Sequence, residues 1–280
     1  MEPTTQQPIL VLGGTGKTGR RVTQRLQAQG RPVRIGTPSR TPAFDWNDPA
    51  TWPSALDGVG AVYLVYYPDL AVPGAVETVR SFAELAVGSG VSRLALRSGR
   101  GEPEAERAEQ AVANTGAELT ILSSTWFMQN FSEDYMLEHV LGGELRLPAG
   151  QVPTPFVDAD DIADIAVAAL TDDRHIGQLY ELTGPRSLTM AEAAAEIAKA
   201  SGRPVRYLPV SLEQHAAEAA AHGVPPEVVE LLTDLFSEVM DGRNTATTDG
   251  VRRALGREPR DFGVYARAAT TAGAWRGQAA

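Results

Sequence analysis

The sequence predicts an α/β fold: a doubly wound parallel sheet with helices on both faces, followed by a small, mostly helical C-terminal lobe. Three observations predict it. Near the N-terminus an apolar strand runs into a glycine-dense turn and then a helix. Short apolar strands and helical stretches alternate from there to about residue 184. Beyond that point the helical period takes over.

The opening unit is Ile9-Leu-Val-Leu12, then Gly13-Gly14-Thr15-Gly16-Lys17-Thr18-Gly19, then Arg20 to Gln29, stopped by Gly30. Ile9–Leu12 reads as a strand buried on both faces. Gly14, Gly16 and Gly19 fit G-x-G-x-x-G, and Gly13, Gly16 and Gly19 fit G-x-x-G-x-x-G. Between a strand and a helix, this spacing points to the diphosphate site of a dinucleotide. The glycines allow a sharp turn, a close backbone approach and tight seating of the helix, whose N-terminus attracts phosphate. Gly13 to Gly19 are therefore candidate cofactor contacts. Gly16-Lys17-Thr18 mimics the end of a triphosphate loop, but Val11 stands where that motif needs glycine. A glycine-rich turn without a ligand is the plain alternative.

The alternation continues. Pro32–Gly36 and Val59–Tyr66 read as strands, Pro73–Ser89 as a helix, and Val91–Arg97 as a strand. Pro103–Asn114 reads as a helix and Glu118–Ser123 as a strand. Pro155–Val157 reads as a short strand, and Asp158 is placed to cap a helix over Ile162–Leu170. Gln178–Thr183 is the expected last strand. After Gly184, Thr189–Glu192 and Ser211–Gln214 are capping-box patterns. Pro225-Pro226 opens a helix with Val228, Leu232, Leu235 and Val239 at helical spacing. The expected division is a Rossmann-type domain over 7–184, with 131–157 contributing partly to the lobe, and a substrate lobe over 185–280.

Composition narrows the chemistry. A net charge of −10 argues against a nucleic-acid-binding surface, and the absence of cysteine excludes disulfides and thiolate catalysis. Met1–Pro8 has neither the basic start nor the apolar core of a signal peptide, and no apolar run is long enough to span a bilayer. A soluble cytoplasmic protein, with no membrane partner, is expected. His139, His175, His215 and His222 are scattered without metal-ligand spacing. Asp158, Asp160 and Asp161 are explained by helix capping and dipole pairing, so no metal site is expected.

In an open parallel sheet, ligands bind beyond the carboxyl ends of the strands. Ser39 and Arg40 follow the second strand. The carboxylate that binds the ribose of NAD, about 20 residues past the glycines, is missing; the first acid is Asp45. Arg40 either pairs with the 2′-phosphate of NADP or is a solvated loop arginine. Asp45 and Trp46 either flank an adenine or belong to a partly buried loop. Tyr66 and Tyr67 end the third strand, where alternation turns one toward the sheet packing and one toward a ligand. Ser98 follows the next strand. Trp126, Phe127, Met128, Asn130 and Phe131 follow the fifth and suit the wall of a pocket for a flat aromatic; core packing is the alternative for at least two of them. Gln129 and Asn130 fit an apolar core poorly and favour a polar role. Tyr67, Ser98 and Gln129 are the candidates for the reacting centre.

Ile9–Gly19, Phe44-Asp45-Trp46, Ala61–Tyr66, Trp126–Phe131, Pro155–Asp158 with Asp161-Ile162-Ala163, and Leu182–Pro185 together resemble the NmrA-like family of atypical short-chain dehydrogenase/reductases. The resemblance runs over nearly the whole chain. Within the family it is similar to bacterial members that look like quinone reductases and to the ergot-alkaloid reductase-like proteins. It implies a Rossmann domain, a small substrate lobe and an NAD or NADP cofactor. Relatives often carry arginine where this chain has Pro38, so Arg40 stands shifted. The family includes enzymes and non-catalytic redox sensors.

Ordinary short-chain dehydrogenases use Tyr-x-x-x-Lys as proton donor. Here lysine occurs only at Lys17 and Lys199, with Gly13 and Ala195 four residues earlier, so the dyad is absent. Hydride transfer to a simple ketone leaves an alkoxide that needs a strong donor. Quinones, conjugated aromatics and imines do not, because their reduced forms are delocalised or neutral. The expected function is an NAD(P)-dependent oxidoreductase of a flat aromatic, quinone-like or conjugated small molecule. A tailoring oxidoreductase or oxygenase of aromatic natural products, and an NAD(P) sensor that catalyses nothing, are the alternatives.

Overall fold

The computed structural model describes residues 6–238 and 240–276. The opening residues of the segment judged against signal peptides, Val239 of the expected helical stripe, and the last four residues of the expected lobe lie outside the described residues.

β1 (Ile9–Leu12) leads through the glycine turn into α1 (Lys17–Ala28) and returns as β2 (Val33–Gly36). A short helix, α2 (Trp52–Leu56), precedes β3 (Ala61–Leu64). Then follow α3 (Ala75–Gly88), β4 (Arg93–Gly99), α4 (Pro103–Ala113) and β5 (Glu118–Ser124). The chain next forms α5 (Asn130–Glu133), α6 (Met136–Gly142) and β6 (Glu144–Leu147), and continues into α7 (Ala159–Thr171) and β7 (Leu179–Leu182). It ends with α8 (Met190–Ser201), β8 (Arg206–Pro209), α9 (Leu212–Ala221), α10 (Pro226–Glu238), α11 (Gly250–Leu255) and α12 (Phe262–Thr271).

These elements form two compact units. The first holds the chain through Ser124, Ala159–Leu182 and Gly250–Arg257; the second holds Thr125–Asp158, Thr183–Asp249 and the chain from Glu258 on. Residues 125–158 thus group with 183–249, and Gly250–Arg257 return to the first unit.

In the first unit six strands pair in parallel in the order β2-β1-β3-β4-β5-β7. The chain leaves β1 toward β2, then crosses back to β3 on the other side of β1. Strand order therefore reverses between β1 and β3, which is where a ligand crevice opens in such sheets. β1 and β3 are buried at every residue, as a strand covered on both faces requires. Leu10, Leu12, Val62, Leu64, Leu94 and Leu96 form one core with Val79, Phe82, Ala83 and Ala86 of α3. α1 and α7 are joined by charge. Arg25 donates from Nη2 to Asp160 Oδ1 at 2.6 Å and from Nε to Asp164 Oδ1 at 2.6 Å. Arg257, just beyond α11, sets Nη2 2.7 Å from Oδ1 of Asp161, which is fully buried, and 2.6 Å from Asp164 Oδ2. The acids at the start of α7 thus meet guanidinium groups.

In the second unit β6 and β8 make a parallel pair, with Glu144 opposite Arg206. Its core gathers Phe131, Phe156 and Phe262, with ring centroids 5.4–5.7 Å apart. Buried polar tips find partners there. Trp275 Nε1 donates to the Phe131 carbonyl at 2.8 Å, and Tyr265 donates to Ser132 Oγ at 2.8 Å. Both expected capping boxes form, at Thr189 with Glu192 and at Ser211 with Gln214.

Some details differ from the sequence reading. β8 was not foreseen, because Arg206-Tyr-Leu-Pro209 lacks alternation and its two ends are exposed. In place of a strand over Pro155–Val157 there are isolated bridges, Val157 with Phe127 and the preceding Thr154 with Leu188. β3 stops at Leu64, so Tyr66 and Tyr67 lie in the loop; β4 runs on through Ser98 and Gly99.

Replacing Arg257 by Ala removes the guanidinium beside the buried Asp161 carboxylate. The expected loss is about 3 kcal/mol, read as a lower denaturant midpoint. A change below about 1 kcal/mol would show that the pair is not what compensates this acid.

Candidate functional site

The glycine turn lies at the β1/β3 reversal. Gly13 holds φ +60°, a conformation that suits glycine, and its carbonyl accepts the Gly16 N–H at 2.8 Å. Gly19 fixes the spacing: a Cβ there would stand 2.1 Å from the Gly13 carbonyl oxygen. Only glycine lets the first turn of α1 approach the end of β1 this closely. Gly14 is buried against Ile35, whereas Gly13, Thr15 and Gly16 present exposed backbone. Gly16 is the N-cap of α1, with extended backbone, no side-chain cap and no acidic residue in the first turn. The positive end of the helix dipole is therefore not neutralised by a side chain of that turn. Exposed backbone, a turn that no Cβ fills and an uncapped helix start fit the diphosphate of a dinucleotide. Lys17 is half-buried, and Thr18, 5 % exposed, lies beside the buried Tyr63 hydroxyl.

After β2 the chain folds on Thr37. The Thr37 Oγ1 and Ser39 Oγ hydroxyls are 3.0 Å apart, and Thr37 Oγ1 accepts the Ser39 N–H at 3.2 Å. Ser39 and Arg40 are exposed, with no acid between them and Asp45. Asp45 uses Oδ1 to accept the Asn47 N–H at 2.9 Å, closing a local turn.

Trp46 and Tyr66 are brought together, with rings 5.0 Å apart, and the Trp46 indole donates to the Val65 carbonyl at 3.1 Å. Phe44, Trp52 and Phe82 pack around Trp46. The loop after β3 is thus anchored on an aromatic cluster, and Tyr66 is the tyrosine turned inward. Tyr67 is 77 % exposed.

Ser98 is the last residue but one of β4 rather than a loop residue beyond it. It is 1 % exposed on β4, beside the Glu109 carboxyl of α4, whose pKa burial raises against the opposing Ser98 hydroxyl. On the opposite side of β4 lies a group that the sequence reading missed. Glu102 is the N-cap residue of α4 but its side chain does not cap that helix. It lies instead over Gly99, where an added Cβ would stand 2.2 Å from the carboxyl atoms. There burial, and then the charge of Asp69 in the loop after β3, push its pKa well up against the opposing charge of Arg97, and its Oε2 is sealed from solvent without a hydrogen-bond partner. The available signal was an acid just past a strand end on the ligand-bearing edge, hidden by the acids of α4.

In the second unit, Met128 and Phe131 are sealed in the core, 1 % and 0 % exposed. Trp126 and Phe127 remain half-buried, and Trp126 packs on Phe236 with centroids 4.9 Å apart. Gln129 is buried and donates from Nε2 to Oδ1 of the buried Asp158 at 2.8 Å; Asn130 is half-buried. The Gln129–Asp158 bond and the Phe127–Val157 bridge tie residues 125–131 to 155–158. Among the described residues no helix is long and apolar enough to cross a membrane.

Comparison with known proteins places this geometry. The model of the NmrA-like family matches residues 106–265. The NAD(P)H azoreductase of Xenophilus azovorans is 32 % identical, over 93 % of this chain and 97 % of its own. The triphenylmethane reductase of Citrobacter sp., solved with NADP(H), superposes with a TM-score of 0.76 at 22 % identity, over 94 % of this chain and 99 % of its own. The NADPH-dependent quinone oxidoreductase of Escherichia coli, solved with NADPH, gives a TM-score of 0.73 at 24 % identity, over 92 % and 98 %. On sequence, the chain belongs to the NmrA-like family.

Proposed function

We propose that this protein is an NAD(P)H-dependent reductase of quinone-like or conjugated aromatic acceptors that works without a Tyr-x-x-x-Lys dyad. The observation that carries the reading is the uncapped N-terminus of α1 behind the exposed Gly13–Gly16 backbone at the strand-order reversal. The names of the relatives, reductases of azo, triphenylmethane and quinone compounds, support it.

A bound dihydronicotinamide supplies a hydride. The chain holds and orients it. Backbone N–H groups of the Gly13–Gly19 turn other than that of Gly16, which bonds the Gly13 carbonyl, would hold the diphosphate, and Ser39 and Arg40 would hold the adenosine ribose. With no acid after β2 and two hydroxyls and a guanidinium there, a 2′-phosphate is favoured over a bare ribose. The Trp46–Tyr66 pair gives that edge a rigid aromatic wall. Tyr67 offers an exposed aromatic face on the same loop. Gln129, held by Asp158, acts by fixing the backbone around it. Orientation of donor and acceptor supplies most of the acceleration. A delocalised reduced acceptor suits a chain whose only lysines, Lys17 and Lys199, have no tyrosine four residues before them.

The direct test follows NADPH and NADH oxidation with a panel of quinones and simple aliphatic ketones. Turnover of quinones alone is expected; efficient reduction of aliphatic ketones would contradict the dyad-free reading. Gly19→Ala sets a Cβ against the Gly13 carbonyl and is expected to abolish nucleotide binding by calorimetry, with a lower melting temperature. Binding at wild-type affinity would place the diphosphate elsewhere. Arg40→Ala is expected to raise KM for NADPH about tenfold, the value of one charge-assisted hydrogen bond, and to leave KM for NADH unchanged. Equal effects on both would assign Arg40 to the loop rather than to a 2′-phosphate.

A further inference from the structure

α9 and α10 fold back on each other around Gly223, which holds φ +76°, and the Val224 N–H closes the turn on the Ala219 carbonyl at 3.1 Å. Little of either helix is sealed. Among the described residues, His215 is the buried side chain of α9 and Phe236 that of α10, while Val228, Val229, Leu232 and Leu235 stay half-buried. The two buried rings meet edge to face, with centroids 5.2 Å apart, and Phe236 packs in turn on Trp126 at 4.9 Å. We propose that this hairpin is a clasp over Trp126, held shut by uncharged histidines and released by acid. That Trp126 faces an acceptor rests on the reading above; the clasp itself does not.

Two imidazoles are held in a form that a proton breaks. His215 is 5 % exposed, and its Nδ1 is sealed from solvent with no hydrogen-bond partner. An imidazolium carries N–H on both nitrogens. A charged His215 would therefore bury a donor with nothing to receive it. His139 of α6 accepts the Arg146 N–H of β6 on Nδ1 at 3.4 Å. Protonation turns that acceptor into a donor, and the bond is lost. Arg146 in turn grips α9, donating from Nη2 and Nε to the Glu218 carboxylate at 2.5 and 3.1 Å. One histidine is thus sealed under α9, and the other seats the β6 residue that holds α9.

The charges around them are few. Glu218 favours the charged form of both rings, and the Glu144 backbone favours it at His139. Arg146 and His222 disfavour it at His139, and His139 disfavours it at His215. The Glu144 side chain is taken by Arg206 of β8. Glu133 of α5, Glu138 of α6, Glu213 of α9, and Glu227, Glu230 and Asp234 of α10 are exposed. Burial is the largest influence, and it holds both imidazoles below their ordinary pKa. In a released hairpin they ionise near the usual value of about 6.5. The closed form is therefore fully favoured above that pH and loses its advantage as the pH falls below it.

Hydrogen exchange of the full chain at about pH 7.5 and about pH 5.5, corrected for the intrinsic pH dependence of exchange, reads the opening. Opening of α9 and α10 is expected to rise about tenfold for each histidine that the closed form keeps uncharged, with α8 of the same unit unchanged. His215→Phe keeps an aromatic ring in place, and His139→Asn keeps an acceptor for the Arg146 N–H; each is expected to lose its own tenfold share. Acrylamide quenching of the Trp126 emission, identified by its loss in Trp126→Phe, should rise over the same pH range. Protection of α9 and α10 that falls no more than that of α8 would overturn the clasp. Either histidine variant keeping the full wild-type response would overturn the part given to that histidine. Unchanged Trp126 quenching while the hairpin opens would overturn the covering of Trp126. A protein that opens in this way yet reduces no quinone with NADPH would fail the reductase reading alone and leave the clasp standing.

Discussion

The approach of Gly19 to the carbonyl of Gly13 is the constraint on which the site depends. A Cβ at Gly19 would fall 2.1 Å from that oxygen, so the first turn of α1 is seated against the end of β1 only because none is there. That seating sets the helix start beside the β1/β3 reversal, with no side chain capping it and no acid in its first turn. The diphosphate site we propose would thus be made almost wholly of backbone. Its energy would come from oriented N–H groups and the helix dipole, which need no reorganisation on binding.

The rest of the first unit holds this arrangement rigid. α1 is fastened to α7 by Arg25 between Asp160 and Asp164, and Arg257 meets the buried Asp161 on the same helix. Taking a carboxylate fully out of water is costly, and the guanidinium makes it tolerable. On the other side of the turn, Trp46 bonds the Val65 carbonyl and packs on Tyr66, so the loop after β3 is pinned by aromatic contact. The same loop carries Tyr67 outward. The two strand ends are therefore anchored by different forces: backbone packing at β1 and aromatic packing at β3.

The parts of this that were legible in the sequence are the local ones. A strand, a glycine turn and a helix within about 20 residues speak for themselves, and both capping boxes announce their helices three residues ahead. Residue type alone could not assign Tyr66 and Tyr67, because the strand ends before alternation reaches them. Met128 and Phe131 followed a strand end as pocket residues should, yet three aromatic side chains from distant segments bury Phe131 in a core. β8 is invisible because it pairs with β6, some sixty residues earlier, through backbone rather than through an apolar pattern. Glu102 was hidden for the opposite reason. It sits in a run of acids on and before α4, and only the gap at Gly99 shows that its carboxyl leaves that helix.

The most direct measurement of the central claim is a ¹H–¹⁵N correlation spectrum of the labelled protein titrated with NADPH. The account predicts that the amides from Gly13 to Gly19 shift most among backbone signals and move downfield as they bond the diphosphate. Saturable binding that leaves those amides unmoved, with the largest changes elsewhere, would contradict it.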